Sequence, residues 1–295
     1  MKAWIAYFIC AVVWGSTYFA IAIGIGSFTP FGMVATRYLL GGAVALGLSR
    51  LLKEQLPLKR DLPHLMLVGL LLLGCSNALV TWAEAHVASG VAAVLCSMTP
   101  MLYGLLGRER LGPRRWLGLA LGLGGVAILT RPQPGTALHP MGLAALFLAT
   151  VLWAFGTLHG KRHVKGHGLL GQVAVQMLTG GVAGLILAPF TGGFLHRALT
   201  LNAALAVGYL TLFGSVVAFS AFAYLAKTWS PTRMSTYAYL NPLVAVLLGS
   251  VFLHETFDLR MVLGMAVILA SVALVQFGGR PPAPLPEALQ EGLAL

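Results

Sequence analysis

The residues whose types could do chemistry are few, and two of them carry charge in apolar surroundings. Arg37 lies about seven residues after Pro30 in an apolar run, about 10 Å along a helix, and Glu84 ends a later run. A buried cation of this kind is costly and marks a functional site by default. Three interpretations stay open. The two groups pair with each other; or Arg37 meets a ligand carboxylate while Glu84 meets an amine or a proton; or Arg37 caps backbone carbonyls and Glu84 lies in an exposed loop.

Polar and aromatic side chains recur at helical spacing around these charges. Asn77, Thr81 and Glu84 stand at positions i, i+4 and i+7, which is one face of a helix. A cavity lined by rings, hydroxyls and amides suits a small zwitterion with an apolar side chain. Core packing or an interfacial aromatic belt is the alternative for each ring taken alone. The predicted substrate-binding residues are Trp14, Tyr18, Arg37, Asn77, Thr81, Glu84, Thr99, Tyr103, Trp153, Thr157, Gln176, Ser220, Tyr237, Tyr239 and Asn241.

Two of the 15 prolines, Pro100 and Pro242, fall well inside apolar runs. Each removes a backbone donor and frees the carbonyl four residues earlier, which is at Cys96 and at Ala238. Such carbonyls are tolerated in a membrane where they face protein or a wet cavity. We therefore predict two bent helices that line a polar path, with a purely structural kink as the alternative.

The histidines and cysteines predict no metal or redox site. His159, His163 and His167 share a helical spacing that could bind a metal ion, but Gly166 and Gly168 interrupt the helix among basic residues. The three cysteines stand singly in apolar runs, which favours packing. No phosphate-binding loop, zinc-protease motif or nucleophile elbow occurs. We therefore expect no catalytic residue, no cofactor and no enzymatic activity.

The composition explains why so few residues carry chemistry. The chain has 295 residues, of which 58% are hydrophobic and 9% are charged, against roughly 25% charged in soluble domains. A water-soluble fold and a disordered chain are both excluded on this ground. Ten apolar runs are long enough, or nearly so, for membrane helices. They cover residues 4–23, 31–50, 64–83, 88–106, 115–130, 140–159, 168–189, 203–226, 233–252 and 259–277.

The basic residues orient these segments. With the N-terminus in the cytoplasm, 15 of the 19 Lys and Arg residues fall in inside loops and three in outside loops, and Arg37 is left within a span. Positive charge marks the cytoplasmic side of a membrane protein. The net charge of +11 is therefore read as a topology signal rather than as a nucleic-acid-binding surface. Both termini are predicted to be cytoplasmic.

The two halves of the chain resemble each other at an offset of about 140 residues. Leu73-Gly74 matches Phe213-Gly214, and Thr99-Pro100 matches Asn241-Pro242. By the same offset, Gln176 is the counterpart of Arg37. Five helices per repeat is an odd number, so the second copy enters the membrane from the opposite side. Inverted repeats of this kind are typical of secondary transporters, with the site between the halves.

These residues resemble a known family. Trp14-Gly15-Ser16-Thr17-Tyr18, Thr36-Arg37-Tyr38, the run from Ala88 to Ala93, and Tyr239-Leu240-Asn241-Pro242 are similar to the EamA-type branch of the drug/metabolite transporter superfamily. The resemblance spans about residues 4–277. It implies an all-α inner-membrane carrier of ten helices, commonly an exporter of amino acids or related metabolites. The second repeat departs from the first where Ala154 and Phe155 replace Gly15 and Ser16.

The predicted organisation is a first EamA repeat at 1–130, a linker at 131–139, a second repeat at 140–279 and a flexible tail at 280–295. The predicted function is export of amino acids, aromatic or hydrophobic ones among them, by alternating access. Nucleobases, sugars or drug-like cations are alternative cargoes, and a channel or a polytopic membrane enzyme is the alternative class. The partners are a small-molecule substrate and the lipid bilayer, with no nucleic acid. The oligomeric state is open and compatible with a monomer.

Overall fold

The computed structural model describes residues 1–87, 92, 95–107, 111–129, 139–166, 168–253 and 259–277. The described residues form helices and no named strand. In chain order the helices are α1 Lys2–Gly24, α2 Pro30–Leu51, α3 Lys59–Glu84, α4 Thr99–Leu106, α5 Pro113–Leu129, α6 Pro140–His163, α7 Leu169–Leu187, α8 Leu201–Thr228, α9 Tyr237–Leu253 and α10 Leu259–Phe277. The predicted all-α class is confirmed. The predicted tail lies outside the described residues, as does the predicted linker apart from His139.

Six of the described helices are long and apolar enough to cross a membrane, namely α1, α2, α3, α6, α7 with its extension to Thr191, and α8. The protein is therefore an all-helical membrane protein. The described parts of α4, α5 and α9 are shorter, and the apolar stretch of α10 is Val262–Phe277. The predicted number of ten spanning helices thus stays a prediction.

Local sequence sets where the helices begin. The hydroxyl of Thr29 accepts a hydrogen bond from the Gly32 amide at 3.0 Å, and Pro30 opens α2 directly after it. An N-cap hydroxyl followed by proline at the first helical position is a strong start signal, because proline lacks only a donor that the helix would not use. Pro231 follows the Ser230 cap in the same way and opens a short helix, Pro231–Ser235, just before α9.

Glycines allow two helix pairs to pack closely. In the α2–α7 pair, a Cβ added to Gly181 would lie 2.7 Å from the backbone nitrogen of Leu39. In the α5–α10 pair, a Cβ added to Gly125 would lie 3.0 Å from the backbone nitrogen of Ile268. Small residues at such contacts let membrane helices gain dispersion energy that lipid cannot supply.

The remaining contacts repeat between the halves. α1 packs against α8 and α9, and α6 packs in the corresponding way against α3 and α4. The α2–α7 and α5–α10 pairs each join one helix to its counterpart in the other half. This exchange of partners is the contact pattern that a two-fold axis between two five-helix halves produces.

Loops that the charge pattern assigns to the inner side lie together at one end of the molecule. Glu54, after α2, accepts a hydrogen bond from the Leu170 amide at 2.8 Å. Asp61, at the start of α3, accepts one from the Gly166 amide at 2.7 Å. One bond joins the α2–α3 loop to the start of α7 and the other joins the α6–α7 loop to the start of α3, so each connects the two halves.

Loops assigned to the outer side also meet. Between α1 and α2, Thr29 donates to the Gly193 carbonyl at 2.6 Å and Ser27 donates to the Ala198 carbonyl at 3.0 Å. Both acceptors lie between α7 and α8. The structure thus groups these loops as the sequence pattern groups them.

Candidate functional site

A cavity of about 120 Å³ lies between helices from both halves. Its walls come from α1, α2, α3, α6 and α9 and from the residues at the start of α4. The lining residues are Trp14, Thr17, Tyr18, Ile21, Arg37, Ser76, Asn77, Val80, Glu84, Cys96, Thr99, Ala149, Thr150, Trp153, Tyr237, Ala238 and Asn241. Aromatic and aliphatic side chains make most of the wall apolar, and the Arg37 guanidinium and the Glu84 carboxylate are the charged groups in the lining.

Arg37 is 5% exposed and is held by neutral groups. Its Nε donates to the hydroxyl of Ser215 at 2.6 Å, and an Nη donates to the amide oxygen of Asn77 at 3.5 Å. Its guanidinium carbon lies 5.0 Å from the centre of the Tyr38 ring. Among the described residues, no carboxylate lies within 4.0 Å of the guanidinium. The positive charge is therefore positioned at the cavity without being neutralised by an acid.

Glu84 is the last residue of α3, and it lines the same cavity. Its Oε1 is buried and has no hydrogen-bond partner among the described residues. A carboxylate in this position costs free energy unless a proton or a bound cation satisfies it. Arg37 and Glu84 form no ion pair in this conformation. Both side chains line the cavity, so each is placed where it could meet a ligand group.

Two wide helical turns, which the sequence pattern does not predict, shape the site. The π-helical segments are Leu70–Ser76 in α3 and Leu210–Val217 in α8, at matching positions of the two halves. In α8 the turn presents the Gly214 carbonyl to the indole Nε1 of Trp14 at 2.9 Å. The same turn places Ser215 beside Arg37. π-helical segments often occur at functional sites, and the matched Leu73-Gly74 and Phe213-Gly214 pairs of the repeat lie inside these two segments.

The carbonyls that the two prolines free both lie at the cavity. The Cys96 carbonyl accepts a hydrogen bond from the Thr99 hydroxyl at 2.6 Å. The Ala238 carbonyl accepts one from Ser97 at 3.1 Å, which joins the α4 region to α9. Pro242 lies inside α9, as predicted, whereas Pro100 is the second residue of α4. Hydroxyl groups therefore bond both carbonyls, but only Pro242 interrupts a helix; the predicted bend at Pro100 is replaced by a helix start, where the missing donor has no helical partner.

Aromatic rings form one wall of the cavity. The Trp14 ring lies 5.6 Å from that of Trp153 and 5.1 Å from that of Tyr237, in edge-to-face geometry. Asn241, with its amide turned to satisfy both acceptors, donates to the carbonyls of Tyr237 and Ala11 at 3.1 Å each. The wall thus combines apolar area with a fixed polar edge.

Nine of the predicted residues line the cavity and six lie elsewhere. Thr81 and Thr157 turn back and donate to the backbone carbonyls of Asn77 and Trp153, each at 2.8 Å. The Tyr239 hydroxyl donates to the Leu119 carbonyl at 3.0 Å, in the packing against α5. The other residues that do not line the cavity are the buried Tyr103 and Gln176, and Ser220. Substrate binding by any of the fifteen stays a prediction.

Sequence reasoning also missed part of the lining. The lining residues outside the predicted substrate-binding set are Thr17, Ile21, Ser76, Val80, Cys96, Ala149, Thr150 and Ala238. Of these, the sequence pointed only to the backbone carbonyls of Cys96 and Ala238. Most are small or apolar, so their types carry no chemical signal. Ser76 and Thr150 are hydroxyl residues bonded to backbone carbonyls, at 2.8 Å to Ala149 and 2.7 Å to Leu146. Ser76 directly precedes the predicted Asn77, and Thr150 stands one turn before the predicted Trp153, which was the available clue.

Comparison with known proteins identifies the family of this arrangement. The model of the EamA-like transporter family matches residues 1–131 and 140–277. The chain is 37% identical over 281 residues to the uncharacterized inner membrane transporter YedA of Escherichia coli K12, covering 92% of this chain and 90% of that protein. It is 28% identical to the protein PecM of Dickeya dadantii, over 91% of this chain and 90% of PecM.

A solved crystal structure shares the fold. It superposes with a TM-score of 0.75 at 19% sequence identity, covering 93% of this chain and 96% of the other. The family match over nearly the whole chain, the shared fold and the cavity between the halves agree. The chain belongs to the EamA-like transporter family, and its function is membrane transport.

Proposed function

We propose that the protein is a secondary carrier that exports small zwitterionic metabolites, chiefly amino acids with aromatic or hydrophobic side chains, across the bacterial inner membrane. One observation carries the proposal. A guanidinium, Arg37, and a carboxylate, Glu84, line one cavity, and no ion pair joins them in the described structure. An α-carboxylate and an α-ammonium are the complementary pair for these two groups.

The rest of the lining supports a small cargo with an apolar part. The edge-to-face rings of Trp14, Trp153 and Tyr237 supply apolar area, and Asn77 and Thr99 supply polar atoms at the walls. Pockets for drug-sized ligands measure roughly 300–1,000 Å³, so a cavity of about 120 Å³ favours a small molecule and requires the walls to move apart for entry.

Alternating access accounts for this movement. The helix contacts exchange partners between the halves, so alternating access requires helices of one half to move relative to helices of the other around the cavity. The distribution of basic residues supports cytoplasmic N- and C-termini. Export is the direction that the family resemblance favours, and the cavity chemistry is compatible with either direction.

Counterflow in proteoliposomes tests the proposal. Labelled phenylalanine, leucine and alanine are compared with phenethylamine and phenylpropionate, which each lack one charge of the zwitterion. We expect saturable counterflow that unlabelled amino acid drives, and at least about tenfold weaker transport of both single-charge analogues, since a lost charge-assisted contact costs about 1.5–3 kcal/mol.

Matched variants locate the charges. Arg37→Gln should abolish the preference for a carboxylate, and Glu84→Gln the preference for an amine. Arg197→Gln, in an exposed loop between α7 and α8, serves as the control and should transport like the unmodified protein. Flux that never saturates would support a channel instead. Counterflow of nucleobases, sugars or organic cations, with none of amino acids, would overturn the cargo assignment and leave the carrier intact.

A further inference from the structure

Three histidines from two helices meet at the end of the molecule where the predicted inner loops lie. His64 stands near the start of α3, and His159 and His163 stand one turn apart at the end of α6. Nδ1 of His64 lies 3.0 Å from Nε2 of His159. One ligand nitrogen from each of the three rings lies within 4.8 Å of the others. The cluster is separate from the cavity, whose lining includes none of these residues.

We propose that His64, His159 and His163 bind a divalent transition-metal ion of the zinc class. We further propose that the bound ion joins α3 to α6 and slows transport; this second step rests on the carrier function proposed above. In tetrahedral zinc sites the Zn–N distance is about 2.0–2.1 Å, which places ligand nitrogens about 3.3 Å apart. The His64 and His159 nitrogens are 3.0 Å apart and share a hydrogen bond, so they are already close to this spacing. A bound ion would replace the shared proton, which passes to solvent, and the third ring would move inward.

The His163 ring is free to move toward the other two, and its proton lies on the nitrogen that would not bind the metal. His163 is exposed, and its Nδ1 lies 2.9 Å from the His159 carbonyl oxygen. Because a carbonyl only accepts, Nδ1 carries the proton and Nε2 keeps its lone pair for a metal. Metal-binding histidines commonly hold their other nitrogen in this way. The exposed side leaves a fourth position for water.

The neighbouring basic side chains do not occupy the histidine cluster. Lys161, between the two histidines of α6, directs its Nζ to the carbonyls of Ala226 and Trp229 at 2.7 and 2.8 Å, toward the end of α8. Arg162 is exposed to solvent, where water and salt screen its charge. The sequence did not predict a metal site because helical spacing grouped His159 and His163 with His167 and not with His64. His167 lies outside the described residues, and His64 comes from 95 positions earlier than His159 in the chain.

Metal binding is tested with the full chain, purified without a histidine tag. Co²⁺ is added as a spectroscopic probe and then displaced by Zn²⁺. We expect one Co²⁺ per chain, a visible absorption band, and a Zn²⁺-dependent rise in the unfolding temperature. His64→Ala, His159→Ala and the exposed His163→Ala should each weaken binding at least tenfold, a loss of about 1.4 kcal/mol or more. His196→Ala, in the exposed α7–α8 loop, should bind as the unmodified protein does.

Absence of one tight site, or binding that survives the three substitutions, would overturn the metal site. Because His163 is exposed, its variant keeps the test informative even if a substitution at His64 disturbs folding. Counterflow is then measured with and without Zn²⁺. Zn²⁺ should slow the unmodified protein and the His196→Ala variant, and should leave the His163→Ala variant unaffected. Binding without slowing would refute the proposed effect on transport, whereas absence of counterflow in the metal-free unmodified protein would refute the carrier function.

Discussion

A single arginine shows how this protein keeps a charge inside the membrane. Arg37 is held by a hydroxyl, an amide oxygen and an aromatic ring rather than by an acid. Neutral acceptors offset part of the desolvation cost and leave the charge available to an anionic ligand group. The sequence identified this residue because an isolated cation in an apolar run is conspicuous. It could not identify Ser215 as the partner, because serine is common in membrane helices and the contact joins residues 178 positions apart.

Two serines of α8 test this role of Ser215. Ser215→Ala should lower the free energy of unfolding by about 1.5–3 kcal/mol, since it removes an acceptor from a buried charged donor. Ser220→Ala is the matched control, because the buried Ser220 hydroxyl has no hydrogen-bond partner among the described residues and its loss should be neutral or slightly stabilising. Thermal unfolding of both variants in detergent makes the comparison. Equal unfolding temperatures would argue that Ser215 does not hold Arg37.

At the scale of helices, apolar runs predict where helices exist and side-chain packing decides their details. The predicted segment 259–277 coincides with α10, Leu259–Phe277, and proline and hydroxyl caps locate other starts. The π-helical turns were not predictable from periodicity, because a run such as Leu70–Ser76 fits an α-helix equally well. Within the predicted polar face, Asn77 lines the cavity, whereas the Thr81 hydroxyl donates to a carbonyl of its own helix.

Neighbouring glycines in α5 test the close packing of that helix on α10. Gly125→Val places a branched side chain against the Ile268 backbone, with its Cβ only 3.0 Å from a nitrogen atom. Overpacking of this kind costs about 1–3 kcal/mol. Gly124→Val is the control, since no atom lies within 4 Å of its added Cβ. We expect a lower unfolding temperature or loss of monodisperse protein for Gly125→Val alone. The same loss in both variants would point to helix propensity rather than packing.

Across the whole molecule, the charge pattern and the loop contacts describe one arrangement. Glu54 bonds the loop after α2 to the start of α7, Asp61 bonds the start of α3 to the loop after α6, and Ser27 and Thr29 bond the loops after α1 and α7 to each other. The ring centres of Trp4, at the start of α1, and Phe277, at the end of α10, are 6.2 Å apart. The first and last helices therefore begin and end on the same side of the molecule. Geometry alone gives two ends of equal standing. Only the excess of Lys and Arg distinguishes them, because that bias reflects how the chain inserts.

Cysteine labelling decides which end faces the cytoplasm. In a background with the three native cysteines replaced by alanine, Gln55→Cys and Arg197→Cys place one thiol in an exposed position at each end. A membrane-impermeant maleimide added to spheroplasts should label position 197 and leave position 55 unlabelled until the membrane is permeabilised. The physical reason is the positive-inside bias, which puts 15 of 19 basic residues on the side of position 55. Labelling of position 55 alone would invert the orientation and, with it, the face from which metal ions reach His64. Labelling of both before permeabilisation would contradict the grouping of the loops, since the two positions would then share one side.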